Sequence, residues 1–281
     1  MKYDLTIAHR VCPRLSKTAV GFADKREMVI RTTESLKRAL MDLKVKLHVI
    51  LDGCADFESI FKEAFCELPN VDLLIEKFDN VGNQMTYGRQ VEILSAVEDS
   101  ECVYFSEDDY IYDESAFRAM LDFIKREGID MVSPIDHPDR YGGRLEKPHP
   151  VMIATSRYCH WREVGSTCLT FMAKASVVRK SRKVFEAYVH SSEEATTWLA
   201  LTKDGVFDVP RLFWSAIRYA FGRKLPFGEV MALCTWKRQG LRLLTSPRYH
   251  LWSPIPTLAV HLSSASLSLH SERLVKNLEM S

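Results

Sequence analysis

Apolar and polar positions alternate in blocks along the first 135 residues. Short apolar runs of strand length are followed by longer segments in which apolar residues recur three and four positions apart. The pattern predicts strands at 4–8, 45–51, 71–78, 102–105 and 130–135. It predicts helices at 25–44, 56–65, 85–97 and 114–127. Strict alternation with short connections indicates a mainly parallel sheet covered by helices on both faces.

The pattern beyond residue 135 is less regular. Residues 136–150 are rich in proline, glycine and histidine, which favours a loop. We expect strands at 151–154 and 168–173 and helices at 176–188 and 195–201, with a short helix at 271–278 near the C-terminus.

Composition narrows the class of protein. The 281 residues are 46% hydrophobic, with 38 Lys and Arg against 37 Asp and Glu. This balance argues against non-specific nucleic-acid binding. Seven dispersed cysteines without a Cys-x-x-Cys pair indicate free thiols in a reducing compartment, and we expect a cytoplasmic protein. Charged residues interrupt the N-terminal apolar run, unlike in a signal peptide, and no run has transmembrane length.

Polar residues follow the predicted strands at 9–10, 52–53, 79–83 and 107–109. Ligands of parallel α/β sheets bind beyond the carboxyl ends of the strands, so these residues should meet at one edge. Glu107, Asp108 and Asp109 repel one another and need a counterion. Two interpretations remain open, namely a solvated acidic turn or a site for a divalent cation such as Mg²⁺ or Mn²⁺. No glycine-rich dinucleotide motif follows the first strand, which disfavours an NAD enzyme.

The motifs, in this order, resemble those of GT-A fold glycosyltransferases, closest to the family 2 inverting enzymes. Residues 52–56 are similar to the family's Asp-Gly-Ser-Thr-Asp turn, and 83–90 are similar to its Asn-containing loop followed by Ala-Arg-Asn. Residues 107–109 resemble the Asp-any-Asp motif. The pair at 193–194 resembles the Glu-Asp pair that supplies the catalytic base.

The resemblance implies a role for each of these residues. Glu194 is the expected catalytic base, with Glu193 beside it, and Asp109 is expected to hold Mn²⁺ or Mg²⁺ together with His261. The expected nucleotide-sugar-binding residues are His9, Arg10, Asp52, Asn83, Arg89, Glu107 and Asp108.

The resemblance also implies an architecture and an activity. The expected fold is α/β and GT-A-like, with a mainly parallel central sheet flanked by helices and a smaller acceptor-side region. Residues 1–135 form the Rossmann-like nucleotide-sugar-binding half, 136–262 the acceptor-binding and catalytic half of the same domain, and 263–281 a tail. The expected reaction is metal-dependent, inverting transfer of a hexosyl group from a UDP-type nucleotide-diphosphate sugar to a hydroxyl acceptor in bacterial surface polysaccharide or glycoconjugate synthesis. A nucleotidyltransferase and a non-catalytic nucleotide- or sugar-binding module remain as alternatives.

Residues 210–227 combine bulky apolar side chains with Arg211, Arg218, Arg223 and Lys224. An amphipathic helix with this composition suits the interface of an anionic bilayer. One interpretation is a peripheral contact at the inner face of the membrane, near a glycan or lipid-linked acceptor. The other is a helix packed on the domain with its arginines solvated.

Overall fold

The computed structural model describes residues 2–15, 22–137, 152–190 and 193–262. Most of the predicted loop at 136–150, the tail at 263–281 and its predicted helix at 271–278 lie outside the described residues. None of the described helices has both the length and the apolar content that crossing a membrane requires.

The described part of the chain contains eleven strands and ten α-helices. The strands are β1 (Leu5–Val11), β2 (Val45–Asp52), β3 (Val71–Phe78), β4 (Cys102–Glu107), β5 (Tyr110–Tyr112), β6 (Met131–Val132), β7 (Ile153–Thr155), β8 (His160–Val164), β9 (Phe171–Lys174), β10 (Leu251–Ile255) and β11 (Ala259–His261). The helices are α1 (Lys25–Leu40), α2 (Glu58–Phe65), α3 (Asn83–Ser95), α4 (Ala116–Ile124), α5 (Ala175–Lys180), α6 (Arg182–Glu186), α7 (Glu194–Thr202), α8 (Val209–Ala220), α9 (Phe227–Gln239) and α10 (Arg242–Thr245). Short 3₁₀ turns lie at Ala55–Phe57 and Ala187–His190.

Nine of these strands form one sheet in the order β3-β2-β1-β4-β9-β6-β10-β8-β7. The first four are parallel, with Leu5 opposite Val45 and Thr6 opposite Val103. Only β9 and β8 run against the other seven strands of this sheet. The prediction of a mainly parallel α/β sheet is therefore confirmed, and β10 joins the second half of the chain to the same sheet.

Alternate side chains of the central strands enter two separate cores. On β4, Tyr104 belongs to the core shared with α1, α2 and α4, whereas Val103 and Phe105 belong to the core shared with α3 and α5 to α7. On β1, Leu5 and Ile7 face the first core. Helices thus cover both faces of the sheet, as parallel strands require.

Several element bounds differ from the sequence prediction. Helix α1 ends at Leu40 and not at residue 44, because the Asn70 side-chain amide donates to the carbonyl groups of Leu40, Met41 and Leu43 at 3.1, 3.1 and 2.6 Å. The strand expected at 130–135 pairs only at Met131–Val132. The helix expected at 176–188 is divided into α5, α6 and a 3₁₀ turn.

Four strands were not predicted, namely β5, β8, β10 and β11. The sequence of β8, His-Trp-Arg-Glu-Val, lacks an apolar run, and β10 contains a proline. Strand β5 is only three residues long and pairs with β11 in a separate two-stranded sheet. That small sheet places His261 opposite Tyr110, next to the acidic residues at the end of β4.

Replacing Phe105 with Ala tests the second core. Phe105 is fully buried and stacks on Phe171 and Phe185, with ring centroids 4.6 and 5.6 Å apart. We expect a loss of about 3–5 kcal/mol in the free energy of unfolding, because the cavity removes apolar contacts on several sides. Urea denaturation measures this loss. Ile153→Ala, on an exposed edge strand, should change the free energy of unfolding by less than about 0.5 kcal/mol, and equal losses in the two variants would contradict the assignment.

Candidate active site

The carboxyl ends of the four parallel strands border a cleft of about 420 Å³. It is lined by six residues that the sequence predicted: Arg10, Asp52, Asn83, Glu107, Asp108 and Asp109. Exposed Arg14, in the segment after β1, lines the cleft as well. These residues therefore gather at one edge of the sheet, where the rule for parallel α/β sheets leads us to expect a ligand.

Glu107 is paired with Arg10 of the neighbouring strand. The two side chains approach to 2.5 Å between Nη2 and Oε1, and Thr170 donates a hydrogen bond to the other carboxylate oxygen at 3.0 Å. Arg10 is almost fully buried and also donates to the backbone carbonyl of Asn83 at 3.0 Å and to the Asn83 side-chain oxygen. One guanidinium thus joins β1, β4 and the first turn of α3.

Asp108 is paired with Lys25, the first residue of α1. The Nζ atom lies 2.8 Å from Oδ2, and both residues are buried. The backbone N–H of Cys12 donates to the same oxygen at 2.8 Å. Burial raises the pKa of Asp108 above its usual range despite the opposing charge of Lys25.

Asp109 is paired with His261 from β11. The Nε2 and Oδ2 atoms lie 3.0 Å apart, and the imidazole stacks on Tyr110 with ring centroids 4.9 Å apart. Burial disfavours the charged forms of both Asp109 and His261, but the hydrogen bond and the electrostatic attraction between the two side chains outweigh this effect of burial. The pKa of Asp109 is therefore below its usual value and the pKa of His261 is above its own.

Each of the three acids therefore has its own basic partner within the protein. Three adjacent carboxylates need a counterion, and the structure supplies three basic partners from β1, α1 and β11. Mutual repulsion alone is thus not a reason to place a metal here. The simple acidic turn is also wrong, because Asp108 is buried and its carboxylate is paired.

A metal must then be judged on the donor atoms. No group of three or more His, Cys, Asp and Glu side chains suited to a metal occurs in the described ranges. However, Oδ1 of Asp109 is a buried acceptor with no hydrogen-bond partner among the described residues. Mg²⁺ is usually held by one or two carboxylates, with water and substrate phosphates completing its shell. Oδ1 of Asp109 fits a cation bound in that manner, whereas His261 would have to release its hydrogen bond to Asp109 before Nε2 could serve as a ligand.

Asp52 and Asn83 organise the loop that borders the cleft. The two carboxylate oxygens of Asp52 accept hydrogen bonds from the backbone N–H groups of Val81 and Gly82 at 2.7 and 2.8 Å. Gly82 has a φ of 90°, which favours glycine, and it leads directly into α3. Asn83 donates to the Tyr188 hydroxyl at 3.1 Å. Both predicted residues thus lie at the cleft, where they shape its wall.

Glu194 begins α7, and Glu193 occupies the cap position before it. Burial raises the pKa of the Glu194 carboxyl to about 7, and the negative charge of Glu107 adds to the rise, while Arg10 and His261 oppose it. No basic side chain in the described ranges forms an ion pair with Glu194. The carbonyl of Glu193 accepts hydrogen bonds from the N–H and hydroxyl of Thr196 at 3.2 and 2.9 Å. The structure therefore distinguishes the two acids that the sequence grouped together.

Five of the predicted site residues are not among those that line the cleft, namely His9, Arg89, Glu193, Glu194 and His261. His9 is buried below the edge, with Nδ1 2.8 Å from the Ser106 hydroxyl, and burial lowers its pKa to about 3. Arg89 binds both carboxylate oxygens of Glu76 at 2.7 and 2.8 Å and contacts Glu92 at 2.7 Å. It borders a separate cleft of about 440 Å³, farther along α3.

Lys25 and Arg14 are site residues that the sequence analysis missed. A lysine in the first turn of a helix opposes the helix dipole, so its position there is unfavourable unless a nearby acid compensates for it. In a parallel α/β fold, the helix that follows a strand begins at the carboxyl edge of the sheet. These two observations together could have identified Lys25 as a partner of the acidic residues.

Comparison with known proteins yields structural similarity alone. No protein-family model and no curated protein sequence matches the chain. The chain is similar to S. aureus TarS 1–349 in complex with UDP, with 12% identity and a TM-score of 0.43 over 70% of this chain and 54% of that one. It thus spans about half the length of that TarS chain.

Two further glycosyltransferase structures cover nearly all of this chain. GlyE of Streptococcus pneumoniae TIGR4 has 11% identity and a TM-score of 0.46, over 98% of this chain and 60% of that one. The galactosyltransferase LgtC, in complex with donor and acceptor sugar analogs, has 10% identity and a TM-score of 0.42, over 98% and 95%. A 4-diphosphocytidyl-2C-methyl-D-erythritol synthase also matches, with 12% identity and a TM-score of 0.38 over 70% and 84%. TM-scores this low carry no argument about activity, so the function must be argued from the site.

Replacing Lys25 with Met tests the charge balance of the edge. We expect a loss of about 3–5 kcal/mol in the free energy of unfolding, because the substitution leaves Asp108 buried without its cation. The double variant Lys25→Met/Asp108→Asn should recover most of this loss, which urea denaturation of the native protein, both single variants and the double variant measures.

Lys62→Met is the matched control, since Lys62 pairs with Glu58 at the exposed surface. Its effect should stay below about 1 kcal/mol. Additive losses in the double variant would show that Lys25 and Asp108 do not interact as described.

Proposed function

We propose that this protein is a glycosyltransferase that moves a sugar from a nucleotide-diphosphate sugar to a hydroxyl acceptor, with Glu194 as its general base. The observation that carries the proposal is the half-buried Glu194 carboxyl, whose pKa is raised to about 7. It interacts electrostatically with Glu107 and Arg10 at the carboxyl edge. A base with a pKa near the working pH is suited to removing a proton from an attacking hydroxyl.

The chemistry assigned to Glu194 follows from its surroundings. Ionised, the carboxylate accepts the hydroxyl proton as the acceptor oxygen forms its bond to the anomeric carbon and the nucleotide diphosphate departs. Burial and the neighbouring Glu107 make the carboxylate a better proton acceptor than a solvated glutamate. Attack on the face opposite the leaving diphosphate gives inversion of configuration, which is part of the proposal.

The donor side of the cleft is proposed from the remaining residues. Asp52 and Asn83 fix the loop that borders the nucleotide, and exposed Arg14 is available to a phosphate from the rim. Mn²⁺ or Mg²⁺ would be held by Asp109 and His261. Such an ion, when bound, stabilises the charge of the departing diphosphate as a Lewis acid.

The finer parts of the proposal rest on the similarity of the sequence motifs to family 2 enzymes. They are a UDP-type donor, a hexosyl group, and a glycan or lipid-linked acceptor in bacterial surface polysaccharide or glycoconjugate synthesis. Thermal-shift measurements with UDP, GDP, CMP and dTDP, each with and without Mn²⁺, would identify the base, since a ligand that binds the native state raises its apparent stability.

Asp109→Asn tests the donor side. We expect UDP to raise the melting temperature of the native protein further when Mn²⁺ is present, and we expect the variant to lose this Mn²⁺-dependent increment. Metal-dependent turnover of the nucleotide sugar should fall by about 10²-fold or more, because one ligand of the diphosphate-bound cation is lost. Circular dichroism should show that the variant is folded.

Glu114→Gln is the control, since Glu114 is exposed in the same part of the chain. Release of UDP from a UDP-sugar indicates glycosyl transfer or hydrolysis, whereas release of pyrophosphate from a nucleoside triphosphate would indicate the nucleotidyltransferase alternative. Nucleotide binding without turnover of any nucleotide sugar would indicate a binding module. Full Mn²⁺-dependent activity in Asp109→Asn would exclude Asp109 as a ligand.

The pH dependence of kcat/KM tests Glu194. Its raised pKa means that the carboxyl is protonated below pH of about 7, so activity should fall as the pH drops through that value and not near the usual value for glutamate. Glu194→Gln should lower kcat by about 10²- to 10⁴-fold and abolish the acidic limb. Glu193→Gln should keep both the limb and most of the activity. The opposite result for the two variants would assign the base to Glu193.

A further inference from the structure

Helix α8 is attached to the protein by its polar side. Ser215 is its one buried residue, and the hydroxyl lies 2.6 Å from Oε2 of Glu229, a buried residue on α9. Arg211 and Arg218 contact the same carboxylate at 3.4 and 3.0 Å. The arginines that one of the two sequence interpretations placed in solvent thus hold α8 against α9.

The opposite side of α8 is apolar and exposed. Val209, Phe213, Ala216 and Ala220 follow one another at helical spacing and share one face of the helix. We call the exposed residues Val209, Phe213 and Trp214, with Phe221 just beyond the end of the helix, the α8 face; their exposed fractions are 67%, 60%, 60% and 80%. Between residues 209 and 228 the sequence contains no Asp or Glu. An apolar surface of this kind on a folded chain indicates an interaction site.

The segment of the chain that carries the α8 face is rich in basic residues. Residues 209–262 contain eight Lys and Arg and one acid, Glu229, giving a net charge of +7, whereas the whole chain carries +1. Arg223 and Lys224 are exposed and directly follow the helix. An anionic partner would therefore be complementary in charge to this region.

We propose that the α8 face docks on the surface of an anionic lipid bilayer. Trp and Tyr side chains are favoured at the headgroup level, where an apolar ring and a polar group are both accommodated. Arg223 and Lys224 then contact anionic headgroups, which attract cations near the surface. A second copy of the chain is a poorer occupant, because two such faces would bring their surplus cations together.

Helix α9 connects this surface to α7, the helix that begins at Glu194. It packs on α8 through Glu229, and near its other end Arg238 donates to the Thr196 hydroxyl at 3.2 Å, two residues after Glu194. Together with the proposed function, docking would hold the cleft near acceptors that are anchored in the bilayer. This placement of the cleft is the part of the inference that rests on the proposed function. The docking itself is independent of the reaction.

Co-sedimentation of the full chain with lipid vesicles tests the proposal. We expect binding to vesicles of phosphatidylcholine mixed with phosphatidylglycerol, weaker binding to phosphatidylcholine alone, and further weakening by salt. Phe213→Ser/Trp214→Ser and Arg223→Gln/Lys224→Gln should each lower the vesicle affinity by about tenfold or more. The control Met41→Ser/Ile153→Ser, which replaces exposed apolar residues elsewhere, should bind like the native protein.

Other results would overturn the docking. These are absence of native binding to the anionic vesicles, equal binding by the native protein and Phe213→Ser/Trp214→Ser, or a native dimer in gel filtration that this variant disperses. The dimer would assign the face to a second copy. Thermal shift by UDP and Mn²⁺ should be the same in the native protein and Phe213→Ser/Trp214→Ser, so loss of vesicle binding is distinguishable from failure of the proposed reaction.

Discussion

Charge neutralisation at the carboxyl ends of β1 and β4 is the constraint on which the site depends. Arg10 and Glu107 are 97 positions apart in the sequence, and Asp109 and His261 are 152 apart, yet both pairs meet at this edge. A buried ion pair contributes little net stability, but a buried charge without its partner is costly. The three acids can therefore be buried only because β1, α1 and β11 each supply a basic partner at this edge.

The alternation of strands and helices was predictable because β1, β2 and β4 are largely buried and contain short apolar runs, such as Cys102 to Phe105. The same rule failed for β8, whose five residues include His160, Arg162 and Glu163, and for the short β5. These strands are specified by pairing with partners distant in sequence. The position of His261 depends on β5, so its approach to Asp109 followed from the family resemblance and not from the pattern.

The gathering of polar residues at one edge was predictable, but the direction of each side chain was not. His9 and Arg10 are adjacent on β1, where successive side chains point to opposite faces, and only Arg10 reaches the cleft. An arginine such as Arg89 is chemically suited to bind a phosphate, but its guanidinium is already paired with Glu76 on β3. Likewise, the amphipathic pattern of α8 defines two faces without showing which one is buried. Glu229 determines this, since a buried carboxylate draws the arginines inward and leaves the aromatic side chains exposed.

Glu194 and the three acids at the end of β4 differ in how their surroundings affect their charge. Glu107, Asp108 and Asp109 are each held by a basic partner, so their charges are largely committed to the structure. Glu194 forms no ion pair with a described residue, and burial together with the charge of Glu107 raises its pKa to about 7. A chain that needed this glutamate only to start α7 would leave it in solvent, where a carboxylate near a helix N-terminus is stabilised at no desolvation cost. Retaining a half-buried carboxyl beside another acid is unfavourable for stability, and proton transfer at neutral pH is the kind of chemistry that such a group suits.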